Sequence, residues 1–414
     1  MTQDQASPPD LRDPVRGALH VVLDDARQRN DGELASYIPE LARADPEGLG
    51  VALVSTHGTV HEAGDSETEF TIQSVSKPFV FALALAQSGL AEVTRHVGLE
   101  PSGEPFNAIS LDEASGRPLN PMINAGAIVT SSLISGDTAA EKFAAIRAGL
   151  NAFAARELDL DEAVFESEQA TGDRNRALAY LTQSAGTLGS SAEVATGAYF
   201  RQCSVTVTAR DLAIMAATLA SGGRNPVSGE RVVSEEVARW TNAVMTSCGM
   251  YDASGDWLVR VGLPAKSGVG GGIVAVQPEQ FGIGTFSPRL DDRGNSVRGV
   301  AMLQALSQRF GLHMLASRGL PLSPIAKLDR DVGGDTVAVL RGEIFFAGAE
   351  EVLTRLAPLV GDDGCLVLDF TNVTRVGGAA RAVFLGVPEI AGVSTDGRRR
   401  VAIRDPDGVL RSGD

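Results

Sequence analysis

A mixed α/β (α+β) fold in two domains follows from three features of the 414-residue sequence. Strand-like segments stand on both sides of a long helical stretch, so one sheet must be assembled from pieces distant in the chain. A Gly/Pro/Ser-rich stretch, Ser317 to Pro324, then interrupts the pattern. Beyond it, strands and helices alternate in a βαβ rhythm. The expected division is residues 1–316, a linker at 317–325 and a small α/β domain at 326–414.

In order along the chain, residues 1 to about 30 read as a polar lead-in and a first helix. The apolar run Leu49 to Ser55 reads as a strand, and Thr59-Val60-His61 with Phe70-Thr71-Ile72 continues it as a meander. From about 78 to 245, Ala and Leu recur at helical spacing between Gly and Pro punctuation. Returning strands are expected at Trp257–Val261, Gly272–Val276 and Gly282–Phe286, and a closing helix at Gly299–Leu315. In the second domain the expected strands are Thr336–Leu340, Glu343–Phe346 and Cys365–Phe370. Helices are expected at Ala349–Leu359 and from Ala379. No internal repeat or low-complexity tract stands out.

Composition narrows the function. The apolar run near the first motif, Phe79 to Ala86, is far short of the roughly 20 residues a membrane span needs. Met1 to Pro14 lacks a basic-then-apolar signal pattern, so a cytoplasmic location is expected, with no membrane partner. Three scattered cysteines, Cys203, Cys248 and Cys365, read as buried thiols and not as a metal or disulfide framework. A formal net charge of −16 argues against nucleic acid, whose phosphates demand clustered Lys and Arg. The one short basic run, Arg398-Arg399-Arg400, reads as a solvated strand edge. A small-molecule substrate is expected.

Two of the chain's four lysines sit in motifs: Ser74-Val75-Ser76-Lys77 and Lys266-Ser267-Gly268. A Ser-x-x-Lys followed much later by Lys-Ser/Thr-Gly is the layout of serine enzymes whose nucleophile is activated by lysine. Pro78 lacks an N–H and fits only a helix's first turn, so Ser74 and Lys77 open a helix and share a face. The positive helix end favours charge developing on the serine oxygen and disfavours protonation of the lysine. A buried lysine of lowered pKa then accepts the serine proton. Ser-x-x-Lys alone is weak evidence, since about 0.3 such matches arise by chance at this composition.

None of the five histidines (His20, His57, His61, His96, His313) falls in a catalytic pattern, and no Gly-x-Ser-x-Gly surrounds Ser74. A lysine- or tyrosine-based relay therefore fits better than a Ser-His-Asp triad. The dense glycines Gly268-Val269-Gly270-Gly271-Gly272 permit close approach of backbone to a ligand. Backbone N–H groups of Ser74 and Val269 are then candidates for an oxyanion hole.

Together these residues resemble the serine-dependent glutaminases, whose catalytic domain is β-lactamase/transpeptidase-like, an antiparallel sheet plus a helical subdomain. Seven blocks match in the family's order across roughly residues 25 to 315. They begin with Tyr37-Ile38-Pro39 and Leu41-Ala42, then Phe70 to Lys77, then Pro101-Ser102-Gly103 with Pro105-Phe106-Asn107. Asn120 to Ile128, Tyr199 to Ser204, Cys248 to Asp252 and Gly262 to Ile273 complete the set.

The resemblance implies hydrolysis of L-glutamine to L-glutamate and ammonia, with Ser74 as nucleophile and Lys77 as its proton partner. It implies Tyr251 as a second acid/base and Tyr37 as a residue lining the site. Asn124, Glu168, Asn175 and Tyr199 match positions that hold glutamine, and Val269 matches the second oxyanion donor. Glu168 suits an α-ammonium, while amide and hydroxyl donors suit an α-carboxylate. Gly172 between Glu168 and Asn175 leaves open whether the two share one helical face. Of the four tyrosines, only Tyr180 falls outside the family's site positions. No cofactor or metal is implied; a homo-oligomer, dimer or tetramer, is.

The second domain more weakly resembles a STAS domain, through Leu340 to Ile344 and Leu366 to Phe370. It departs where such antagonists carry Asp-Ser before a helix: this chain has Gly377-Gly378, so no phosphorylation is expected there. The chain stops soon after Val401-Ala402-Ile403, and a shortened last helix is expected. A regulatory or oligomerisation role follows, with an unknown partner. Two other functions compete for the whole chain. A penicillin-interacting enzyme would carry a Ser-x-Asn or Tyr-x-Asn box, which is not found. A non-catalytic glutamine sensor would bind without turnover.

Overall fold

Short, continuously apolar strands build the larger sheet, because helices cover both its faces. The computed structural model describes residues 13–36, 38–103, 108–316, 323–330, 335–360, 364–394 and 397–411. The chain divides into two compact units, Met1–Ala316 and Ser317–Asp414.

The strands of the first unit are Gly50–Ser55 (β1), Val60–Gly64 (β2), Phe70–Thr71 (β3), Thr206–Val207 (β4), Ala265–Ser267 (β5), Gly272–Gln277 (β6) and Phe281–Phe286 (β7). Five of them form an antiparallel sheet in the order β2-β1-β7-β6-β5. Its helices begin with Asp13–Arg27 (α1), Lys77–His96 (α2), Asn124–Leu133 (α3), Ala139–Ala154 (α4), Glu162–Thr171 (α5) and Asp173–Ser184 (α6). They continue with Ala192–Cys203 (α7), Ala209–Ala220 (α8), Glu235–Cys248 (α9), Ser254–Arg260 (α10) and Val297–Phe310 (α11).

Strand β1 shows why its run reads as continuously apolar. Val51 and Leu53 pack with Leu19 and Leu23 of α1 and Leu303 and Leu306 of α11. Ala52 and Val54 point the other way, onto Ala213 and Ala217 of α8. Helix α8 lies directly on β7 because Gly282 and Gly284 have no side chain: a Cβ there would meet Ala217 N at 2.2 Å and Ala209 O at 2.1 Å. Behind the sheet, α2, α3, α4, α7, α8 and α9 pack around Phe79, Phe81, Phe153 and Met245, while α5 and α6 pack with α3 and α7 around Tyr199 and Phe200.

Several expectations need correction. Trp257–Val261 was expected as a strand but lies in helix α10 and its cap. Trp257 and Val261, one helical turn apart, are buried, whereas Val259 between them is 77% exposed. Phe70–Thr71 does not extend the meander; it pairs with β4, and Phe70 stacks on Phe286 with ring centroids 4.4 Å apart. Strand β5 was not expected, being three residues long with a lysine at its centre. Helix α11 starts earlier than expected, where the Ser296 hydroxyl accepts from the Gly299 N–H, and ends at Gly311 with φ 63°.

The second unit is a four-stranded sheet of Ile325–Arg330 (β8), Thr336–Ile344 (β9), Leu366–Val376 (β10) and Val401–Arg404 (β11), in the order β11-β10-β9-β8. Strands β9, β10 and β11 run parallel, joined by the helices Phe346–Leu356 (α12) and Gly378–Ala391 (α13). The two strands expected at 336–340 and 343–346 are one strand, and Phe346 belongs to α12. Ile325, expected to end the linker, opens the unexpected β8 and joins the core. Phe370 meets Phe384 edge-on at 5.0 Å in that core. Of the expected linker, residues 317–322 lie outside the described residues.

Candidate active site

The turn Gln73–Ser76 joins β3 to α2 and holds Ser74, which is buried. Gln73 adopts a left-handed φ of 47°, uncommon for a side chain with a Cβ. Helix α2 then begins at Lys77 with Pro78 in its first turn. Lys77 is fully buried, and its Nζ donates to Asn124 Oδ1 at 2.7 Å and to the Met122 carbonyl at 3.3 Å. Burial lowers the Lys77 pKa to about 8, against the opposing pull of Cys203 and Glu168.

Asn124 is fixed by the loop before it. The Asn120 side chain accepts from the Met122 and Ile123 N–H groups at 3.0 and 3.2 Å, which turns the chain into α3. Gly126 is required there, since a Cβ would meet the Asn120 carbonyl at 1.9 Å. Asn124 Nδ2 donates to Asn175 Oδ1 at 2.9 Å, and the Tyr199 hydroxyl reaches Asn124 Oδ1 at 3.4 Å.

Glu168 and Asn175 do not share a helix. Helix α5 ends at Thr171 and α6 starts at Asp173, with Gly172 between them. A Cβ on Gly172 would strike the Phe200 ring at 2.4 Å, so the break packs tightly against α7. Burial raises the Glu168 carboxyl to about 7, although a hydrogen bond with Gln73 and the Lys77 charge act the other way. Tyr199 and Cys203, one turn apart on α7, are both buried; desolvation pushes Tyr199 well above its usual range and Cys203 to about 12.

Tyr251 approaches from the far side, at a left-handed φ of 57°. Its hydroxyl donates to the Ser267 carbonyl at 2.9 Å and is hydrogen-bonded to Ser74. Desolvation raises its pKa, so the phenol keeps its proton. Gly249 lets this segment lie on β5, where a Cβ would meet the Ala265 carbonyl at 1.7 Å. Lys266 is fully buried, and desolvation followed by the Lys77 charge pushes its pKa well down.

The glycine-rich stretch approaches the Gln73–Ser76 turn. A Cβ on Gly268 would meet Val75 Cγ2 at 2.9 Å, and one on Gly270 the Thr71 carbonyl at 2.4 Å. This packing brings Val269 to the wall of a cavity of about 140 Å³. Ser74, Asn124, Glu168, Asn175, Tyr199 and Val269 line it together, with Lys77 and Tyr251 joined to them by hydrogen bonds. Tyr37 lies outside the described residues. Gln73, Thr171, Arg174 and Cys203 also line the cavity and were not expected. Gln73 and Cys203 stood inside quoted sequence blocks, but nothing local marks which way their side chains face.

Among the described residues, no histidine lines this cavity and no cluster of three His, Cys, Asp or Glu side chains has metal-binding geometry. No helix among them is long and apolar enough to cross a membrane. Cys203, Cys248 and Cys365 are free thiols, the first two buried.

Comparison with known proteins gives the family. The family model described as Glutaminase matches residues 32–315. The glutaminase of Corynebacterium glutamicum is 44% identical over 401 residues, spanning 96% of this chain and 95% of that one. A crystal structure of Mglu superposes with a TM-score of 0.84 at 43% identity, covering 96% of this chain and 99% of its own. Mglu in its glutamate form gives a TM-score of 0.82 at 40% identity, with coverage of 96% and 99%. The mixed α/β architecture is thus that of the glutaminase crystal structures, β-lactamase-like as the resemblance implied. With a matching profile over most of its length and relatives this similar, the chain belongs to the glutaminase family.

Proposed function

We propose that this glutamine amidohydrolase hydrolyses L-glutamine to L-glutamate and ammonia through an acyl-enzyme on Ser74. The observation that carries this reading is Lys77: fully buried, beside Ser74 in sequence and held near a pKa of about 8. A lysine so held has a neutral fraction near physiological pH able to take the Ser74 proton.

In this mechanism the Ser74 oxygen attacks the γ-carboxamide carbon as its proton passes to Lys77. The backbone N–H groups of Ser74 and Val269 stabilise the oxyanion. Tyr251, a phenol that keeps its proton, relays one to the departing nitrogen, and ammonia leaves. Water then attacks the ester, giving a proton to the Lys77/Tyr251 pair, which returns it to the Ser74 oxygen as the acyl–oxygen bond breaks and glutamate is released. Glu168 holds the substrate α-ammonium, while Asn124, Asn175 and Tyr199 hold the α-carboxylate. The family resemblance assigns Tyr37 to this site as well. A cavity that accepts this amino acid agrees with a structural relative having been solved in its glutamate form.

Ammonia release from L-glutamine and from L-asparagine, by wild type beside Ser74→Ala, tests the reading. Release from glutamine that vanishes in the variant supports it. No release above the variant's level by folded protein would leave a non-catalytic glutamine sensor, and acylation by a penicillin would favour the penicillin-interacting alternative.

We also infer that the second unit is a STAS-like regulatory or oligomerisation module within a cytoplasmic homo-oligomer, a dimer or tetramer. Its parallel strands β9, β10 and β11 and joining helices support the likeness. Gly377-Gly378 at the start of α13 leaves no hydroxyl to phosphorylate there. Deleting residues 320–414 without change in oligomeric state, glutamine affinity or activity would reject this role.

A further inference from the structure

Beneath the nucleophile turn runs a buried hydrogen-bonded chain that the chemistry above does not use. Ser76 donates its hydroxyl to the Gln73 carbonyl at 2.7 Å. Gln202 of α7 donates Nε2 to Ser76 Oγ at 2.9 Å, and its Oε1 lies 2.7 Å from Ser131 Oγ of α3. Ser131 Oγ also lies 2.8 Å from the Ala127 carbonyl. Ser76, Ser131 and Gln202 are all fully buried.

The direction of the chain is set by chemistry. A carbonyl only accepts, so the Ser76 proton must point at Gln73. Ser76 Oγ must then accept from Gln202, which places the amide nitrogen on that side. Gln73, at the end of the chain, is the residue with the left-handed φ of 47°, immediately before Ser74. Such a backbone conformation persists only where its surroundings over-determine it. Three residues upstream along the helix, Tyr199 lines the cavity, so α7 touches both the ligand side and the underside of the turn.

We propose that Gln202 is a positioning residue for this reaction: through Ser76 it locks the Gln73 carbonyl, and so aims the Ser74 oxygen. The inference rests on Ser74 being the nucleophile. Misplacement of a reacting atom by about 1 Å costs on the order of 10²-fold in rate.

The test measures kcat and KM for L-glutamine in the full-length chain carrying Gln202→Leu, Gln202→Glu, Ser76→Ala, and Ser76→Ala with Gln202→Leu. The expected result is a fall in kcat on the order of 10- to 100-fold for each single variant, with a much smaller change in KM. The double variant should be no slower than Ser76→Ala, because both changes cut one chain. Gln202→Glu keeps the shape but ionised can only accept, which turns the Ser76 proton away from Gln73. Its activity relative to wild type should recover as pH falls and the carboxyl regains a donor, a response that lost packing would not give. Unchanged kcat in Gln202→Glu, or losses that multiply in the double variant, would overturn the proposal. Ser74→Ala separates the two levels: if it still releases ammonia, the Ser74 assignment fails and this inference falls with it. An inactive Ser74→Ala beside fully active Gln202 variants removes the Gln202 role alone.

Discussion

The side-chain nitrogen of Lys266 lies 3.9 Å from the centroid of the Tyr251 ring, and both side chains donate to the carbonyl of Ser267. Two buried groups thus converge on one backbone oxygen, and the strand that carries Lys266 also orients the phenol beside Ser74. Lys266→Met keeps the length and apolar bulk but removes the donor and ring partner. Steady-state ammonia release should show kcat lowered at least about 10-fold, the scale of a misdirected proton relay. Wild-type kcat in folded Lys266→Met would refute this coupling.

Activity should rise with pH between about 7 and 8. Lys77 must be neutral to accept a proton, and its pKa is lowered to about 8, so the competent fraction grows as pH climbs through that value. Glu168 must be ionised to hold an ammonium group, and its pKa is raised to about 7, so it acts in the same direction. A kcat/KM profile from pH 5 to 9 reports both groups in the free enzyme. A profile flat across this window would contradict the assignment.

Glu168 also sets stability against function. Its carboxyl titrates near 7 when folded and near its ordinary 4.5 when unfolded. Between those values the folded chain retains a proton that the unfolded chain has released, so stability falls as pH rises from 4.5 to 7. Above 7 the full penalty of the buried carboxylate remains. Glu168→Gln should therefore be more stable than wild type at pH 8, by on the order of 1–3 kcal/mol, and less so at pH 5. The same variant should bind glutamine at least about 100-fold more weakly, having lost a charged partner. Urea unfolding at the two pH values and calorimetry check both halves.

Arg298 is the largest fully buried side chain among the described residues. Its guanidinium donates to the Arg29 and Pro46 carbonyls at 2.7 and 3.3 Å, and to Asn30 Oδ1 and Glu47 Oε2 at 3.1 and 2.8 Å. Arg298→Leu should cost on the order of 2–4 kcal/mol, because buried acceptors lose their donors together. Arg289→Ala, at a partly exposed neighbour of Glu47, should cost much less. Denaturant midpoints of the two variants decide whether burial or mere ion pairing anchors this segment.

Much of the fold was legible wherever one period dominated. The β1 run and the Gly272 and Gly282 strands are short and continuously apolar because both their faces are buried, and the Ala/Leu-rich stretch holds α2 to α9. Trp257–Val261 misled because apolar residues at i, i+2 and i+4 satisfy a strand on paper, while only i and i+4 turn inward. The cavity brings together residues from 73 to 269, an assembly that motif order implies and spacing alone does not. Gln73 escaped notice because a left-handed φ on a glutamine is imposed by Ser76 and Gln202, whose hydroxyl and amide lie far apart in sequence. The helix break at Gly172 was visible as a glycine, but the Phe200 ring that demands it was not.

The pairing of β1 with β7 joins Gly50 to Phe286. On a ribosome adding 5–20 residues per second, the first hairpin waits roughly 10–50 s for the strand that covers its inner edge. Throughout that interval Val51 to Val54 present an apolar strand with open hydrogen-bonding groups, the kind of surface that recruits neighbouring chains. Nascent chains of this protein are therefore expected to need shielding of this edge until residue 286 emerges, and stalling before that point should yield aggregate in place of partial enzyme.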